Sequence, residues 1–152
     1  MAFPILENII KDITPKKWYE SRIPDRYSEI VNLVENKIGK EFAFIFSEPN
    51  ISESAYDAKI DARWFAPDDM SGALPISALS IDEQKQAIEI LNNKTKRIYD
   101  FAHALLLSEK QENVRWGQLL LGAYTCPSLD YVFYKDGKVV MTAWGFKFKE
   151  TQ

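Results

Sequence analysis

Hydrophobic positions recur along this chain with two different periods, and the period assigns the element. Near the start, Leu6, Ile9, Ile10 and Ile13 recur at helical spacing, which predicts a short helix over residues 5 to 13. Pro15 closes it, because a proline disfavours helix in the residue before it. "IPDRYSEIVNLVENKIGK" predicts a second helix. Pro24 suits its first turn, Gly39 suits its C-terminal cap, and Tyr27, Ile30, Val31, Val34 and Ile38 form its apolar stripe.

The period then changes. "EFAFIFS", residues 41 to 47, reads as a strand with Phe42, Phe44 and Phe46 on one face and Ala43 and Ile45 on the other, covered on both sides. "SEPNISES" reads as a connection. "YDAKIDARW", residues 56 to 64, alternates charged and apolar positions throughout, a period that a helix cannot use to separate polar from apolar. It predicts a strand, and "APDDMSGALP" a loop.

A long helix begins after Ser80, where Ser80 and Glu83 fit a capping box. Ile81, Ile88, Leu91, Ile98, Ala102 and Leu105 share one face as far as about Ser108, and the polar run Asn92 to Arg97 faces water. Residues 108 to 124 show a second capping box at Ser108 and Gln111. Gly117 and Gly122 leave both helix and extended chain open there. "DYVFYKDGKVVMTAWGFKFK" is a β-hairpin turning at Asp136-Gly137. A two-residue loop places Phe133 opposite Val140 and Val132 opposite Met141, and a bulged turn shifts that register by one. The fold class that follows is α+β. A single domain over residues 1–152 is expected, with about four antiparallel or mixed strands packed by helices and a C-terminal hairpin.

Composition supports a packed core. Of 152 residues, 46% are hydrophobic and 13% aromatic, enough for a sizeable interior at this length. The net charge of -3 and the scattering of Lys and Arg among acids argue against nucleic-acid binding, which needs clustered cations. The first residues lack a basic segment and carry Glu7 inside the apolar stretch, so they make a poor secretion signal. The apolar runs are too short to span a bilayer, and Lys11 alone makes a poor amphipathic anchor. A cytoplasmic protein with no membrane association is the expectation.

The charged row raises the question of catalysis. Asp57 and Asp61 on one strand face stand roughly 13 Å apart at the strand rise of about 3.3 Å per residue. That is too far to share a proton or a metal ion, and Lys59 and Arg63 interleave with them. His103 is the only histidine and Cys126 the only cysteine, which excludes a tetrahedral zinc site of Cys and His alone. "PDDMSG" resembles a turn in which Asp side chains bond the local backbone more than a calcium loop. The six glycines match neither a phosphate loop nor a dinucleotide fingerprint. No catalytic residue, metal ligand or cofactor is assigned.

The remaining candidates are aromatic. Trp64-Phe65 ends the charged strand, and Trp144-Gly145-Phe146 ends the hairpin, where Gly145 permits close approach. "DGKVVMTAWGF" resembles strands of poorly described bacterial proteins, a likeness that carries no function with it. Acidic balance, abundant rings and no catalytic set favour a non-catalytic protein-interaction module. An accessory subunit of a bacterial multi-protein system fits, as does a toxin immunity or inhibitor protein, binding a protein partner through Trp64, Phe65, Trp144 and Phe146. The alternative is a small-molecule binder or minor enzyme, with a pocket between sheet and long helix lined by Tyr99, His103 and Trp144.

Overall fold

The computed structural model describes residues 3–10, 12–53 and 60–149 and is α+β. Strand β1 (Phe3–Ile10) occupies the stretch where a helix was expected. Its backbone pairs antiparallel with a later strand, Leu6 standing opposite Trp64. Four apolar residues at helical spacing are a weak local signal, and a neighbouring strand that satisfies the backbone ladder overrides it. A bend follows, then β2 (Ile13–Pro15), and the two-residue strands β3 (Lys17–Trp18) and β4 (Ser21–Arg22) form a tight hairpin.

The second expected helix is present. A 3₁₀ turn over Ile23–Arg26 carries Pro24 and leads into α1 (Tyr27–Lys37), which buries Ile30 and Val34. The expected strand over residues 41 to 47 does not form. Gly39 sits at φ 150°, redirecting the chain into the single turn α2 (Lys40–Ala43). Only the end of the segment is extended, where Phe46 makes a parallel bridge to Met141. The alternating phenylalanines are therefore divided, with Phe46 fully buried and Phe42 and Phe44 half-buried.

Residues expected to connect instead form β5 (Glu48–Glu53), beside β6 (Ile60–Ala66). The sheet order is β1-β6-β5, so the charged strand is central and does not form an edge. Over its described side chains the alternation does what the period demands: Ala62, Trp64 and Ala66 are buried, while Asp61 and Arg63 face water. Tyr56, Asp57, Ala58 and Lys59 lie outside the described residues, so the spacing of the two aspartates is not observed.

After β7 (Leu74–Pro75), Ser80 caps α3 (Ile81–Leu106) as expected, its Oγ accepting from the Glu83 N–H at 3.3 Å. The buried face is Ala87, Leu91, Ile98 and Ala102, whereas Ile81 at the first position is exposed. Residues 108 to 124 hold α4 (Gln111–Ala123). The expected capping box at its start is replaced by a local bond, because Ser108 Oγ accepts from the Lys110 N–H at 3.1 Å and from the Asn113 amide at 3.0 Å. Gly117, which weakened the helix expectation, is what lets α4 lie close to α3. A Cβ there would stand 2.7 Å from the Ala102 carbonyl oxygen.

The hairpin of β8 (Val132–Lys135) and β9 (Lys138–Met141) has the two-residue register, with Phe133 opposite Val140 and Val132 opposite Met141. Asp136 and Gly137 both have positive φ, as a type I′ turn requires. β7 extends this sheet on the β8 side, and the Phe46 bridge extends it in parallel on the β9 side. β10 (Phe146–Phe148) returns to pair with β2. The strands are thus shared among small sheets. Trp144 ties them together, contacting Phe46 and Trp64 edge-on at centroid distances of 5.2 Å and 6.0 Å, and Trp64 meets Phe146 at 5.7 Å. Among the described residues no helix is long and apolar enough to cross a membrane.

Candidate functional site

The rings singled out in the sequence are mostly interior. Trp64, Trp144 and Phe146 are at most 1% exposed and belong to the central apolar cluster. Phe65, pointing the other way along β6, is half-buried. An exposed docking patch made of these four is therefore corrected: three of them hold the core together. Tyr99 and His103 lie on the outer side of α3, their rings 6.0 Å apart, with Tyr124 5.7 Å beyond Tyr99. Trp144 packs instead with Tyr27, Phe46 and Trp64, so the structure does not bring the expected pocket of Tyr99, His103 and Trp144 together.

A different set of rings reaches the surface. In the β3–β4 hairpin, Lys17 pairs with Arg22 and Trp18 with Ser21, leaving Tyr19-Glu20 as the turn. Tyr19 is held at φ 56° and is 61% exposed. Two-residue hairpin turns favour Gly, Asn or Asp where φ is positive, because a Cβ crowds the neighbouring carbonyl. A tyrosine there is an outlier costing on the order of 1–3 kcal/mol.

The surroundings fix the ring. Trp18 stacks on Trp116 of α4 with centroids 6.2 Å apart and planes 21° from parallel, and Tyr19 meets Trp18 edge-on at 5.0 Å. Trp18 Nε1–H donates to the Arg115 carbonyl at 3.1 Å, and the Tyr19 hydroxyl lies 3.4 Å from Gln118 Oε1. Arg115 covers the Tyr19 ring at 5.8 Å and Arg26 covers Trp18 at 5.5 Å, each within cation–π range. Arg26 is itself oriented by Glu29 at 2.7 Å and Ser21 at 2.8 Å. Beside Trp116 a shallow groove of about 350 Å³ runs between α1 and α4, walled by Glu29, Asn32, Leu33, Asn36 and Lys37. "KKWYESR" and "VRWGQ" carried the one available sequence signal, rings set among charged neighbours. They lie almost a hundred positions apart and only the fold joins them.

A second concavity lies elsewhere, between α2, the middle of α3 and the β8–β9 turn. It has a volume of about 400 Å³ and an apolar floor that includes Phe44, Ile90 and Val139. A pocket between sheet and long helix was expected, but it opens at Ile90 and Lys94. Those two positions lie roughly 14 to 20 Å along the helix from His103 at about 1.5 Å per residue.

The other chemical candidates resolve locally. Asp69 accepts from the Ser71 N–H at 2.9 Å and from its hydroxyl, and Asp68 pairs with Lys138 at 3.0 Å. These bonds hold both exposed carboxyls below the usual range. Burial pushes the Cys126 thiol up to about 12, so it is not a nucleophile at neutral pH. Among the described residues no group of three or more His, Cys, Asp or Glu side chains is placed to hold a metal. Comparison with protein-family models, curated proteins and solved structures found no match to this chain.

Proposed function

We propose that this chain is a non-catalytic interaction module whose docking face is built from Trp18, Tyr19 and Trp116, with Arg26 and Arg115 over the rings. The observation that carries this reading is the backbone of Tyr19. A turn that needs positive φ is met at lower energy by glycine, so a strained and exposed tyrosine has a use other than making the turn. Trp, Tyr and Arg are the residue types that dominate binding energy at protein interfaces. Rings already stacked and bonded lose little freedom on binding, which favours affinity.

The partner is a folded protein that inserts apolar side chains beside Trp116 and offers a carboxylate to Arg115, Arg26 being already paired with Glu29. A cytoplasmic accessory subunit or an inhibitor of a second protein has this character. Size-exclusion chromatography of the chain expressed in its native cell tests the reading. A stoichiometric complex that persists with wild type and disappears with Tyr19→Gly and with Trp116→Ala is expected. A wild-type monomer, or a complex indifferent to both substitutions, contradicts it.

A further inference from the structure

We infer that the groove between α2, α3 and the β8–β9 turn binds a small amphipathic anion, an aliphatic or aryl carboxylate with a single charged head. It is built from different elements than the aromatic docking face, and it does not depend on that face having a partner.

The first support is shape and polarity. A concavity of about 400 Å³ with an apolar floor lies within the size range of small-ligand sites. Phe44 and Ile90 are only half-buried, so part of the floor is wet and gains by being covered. The second support is charge. Lys40, Lys94 and Lys138 stand around the opening with Glu41 as the only acid among the lining residues. Three cations less one anion leave an excess of two positive charges on the lining, or one when Asp68, paired with Lys138, is counted, in a chain whose net charge is -3. A floor that selects apolar matter under a rim that selects negative charge describes an amphipathic anion and disfavours a neutral or cationic one.

The lysines are available to a ligand. Lys94 holds its ammonium 4.9 Å from the Phe42 ring centroid, a position that its flexible stem can leave. Lys138 pairs with Asp68, but both side chains are about half exposed. An exposed pair of this kind is screened by water and held weakly, so an incoming carboxylate competes with Asp68 at little cost. The bound tail would lie along Phe44, Ile90 and Val139, with the head at the rim between Lys94 and Lys138.

Titration of the ¹⁵N-labelled chain with decanoate, below its micelle concentration, tests this by two-dimensional NMR. Saturable shifts are expected at the amides of residues 40–45, 88–94 and 137–139. Decanol, which keeps the tail but lacks the charge, should bind at least tenfold more weakly, and acetate should shift nothing at the same concentration. Lys94→Glu and Lys138→Glu should each weaken decanoate by roughly tenfold while the remaining spectrum stays native. Decanol binding as tightly as decanoate, shifts centred on the Trp116 groove or the Tyr99 side of α3, or no saturable shift overturns the inference.

Discussion

The indole N–H of Trp144 donates to the backbone carbonyl of Ser47 at 2.8 Å, joining residues 97 positions apart, both fully buried. Ser47 in turn bonds β9, its hydroxyl reaching the Met141 carbonyl at 2.6 Å. One side chain therefore fixes the turn after the hairpin to the segment leading into β5. Trp144→Phe keeps much of the apolar ring but leaves the Ser47 carbonyl without this donor. A stranded buried polar group costs about 1–3 kcal/mol, and the smaller ring adds a packing loss. Urea unfolding should show a loss of about 2–4 kcal/mol.

Gly117→Ala should also destabilise, although alanine is the better helix former by roughly 1 kcal/mol. The added Cβ would sit 2.7 Å from the Ala102 carbonyl oxygen and 3.1 Å from Leu105 Cβ, so α3 and α4 must move apart. Such overpacking costs about 1–3 kcal/mol. Thermal unfolding of this variant should give a lower Tm than wild type; an unchanged or raised Tm would mean that the helices yield freely.

Tyr19→Gly and Tyr19→Ala separate backbone strain from ring contacts. Both remove the ring from Trp18 and Arg115, but only glycine relieves the φ of 56°. Glycine should be the more stable of the two by roughly 1 kcal/mol and should fall close to wild type. Chemical denaturation of the pair measures the difference directly. Equal stabilities would mean that the turn carries no strain.

Stability should fall above about pH 9. Burial raises the thiol of Cys126 to about 12 and raises the phenol of Tyr27, while Tyr131 is raised by burial and by nearby Asp130. For an acid raised in the folded state, the stabilising contribution is complete below the unfolded value and is lost as pH climbs towards the folded one. Cys126, the most buried of the three, steepens the decline by up to about 1.4 kcal/mol per pH unit, and the two more exposed phenols contribute less because water screens them. Lys16 acts in the opposite sense, because burial lowers it and its neutral form becomes easier to hold as pH rises. Tm measured under reducing conditions from pH 8 to 11 should decline, and Cys126→Ala should flatten the decline. An identical slope in that variant would remove Cys126 from the account.

Elements with a local signature were legible in the chain. The Ser80 cap, the α1 stripe between Pro24 and Gly39, and the Asp136-Gly137 turn each act within a few residues, and the structure follows them. Elements decided by a distant partner were not. β1 exists because β6 offers its edge, and residues 40–43 become helix because Gly39 redirects the chain before Phe46 reaches Met141. The same limit hid the docking face. A tryptophan in an alternating strand looks alike whether it fills a core or a surface patch, so the pattern points to Trp64 and Trp144 as binding residues and gives no mark to Trp18 and Trp116. Only the α4–β3 contact shows which pair of rings reaches the surface.

The most direct measurement places a photoreactive benzophenone side chain at position 19, with the same group at Leu107, 75% exposed at the end of α3, as the control. After irradiation in the native cell, position 19 should give one discrete, higher-mass adduct with a second protein, and position 107 should not. Adducts absent from position 19, or equally abundant at both positions, would contradict a docking face at Trp18, Tyr19 and Trp116.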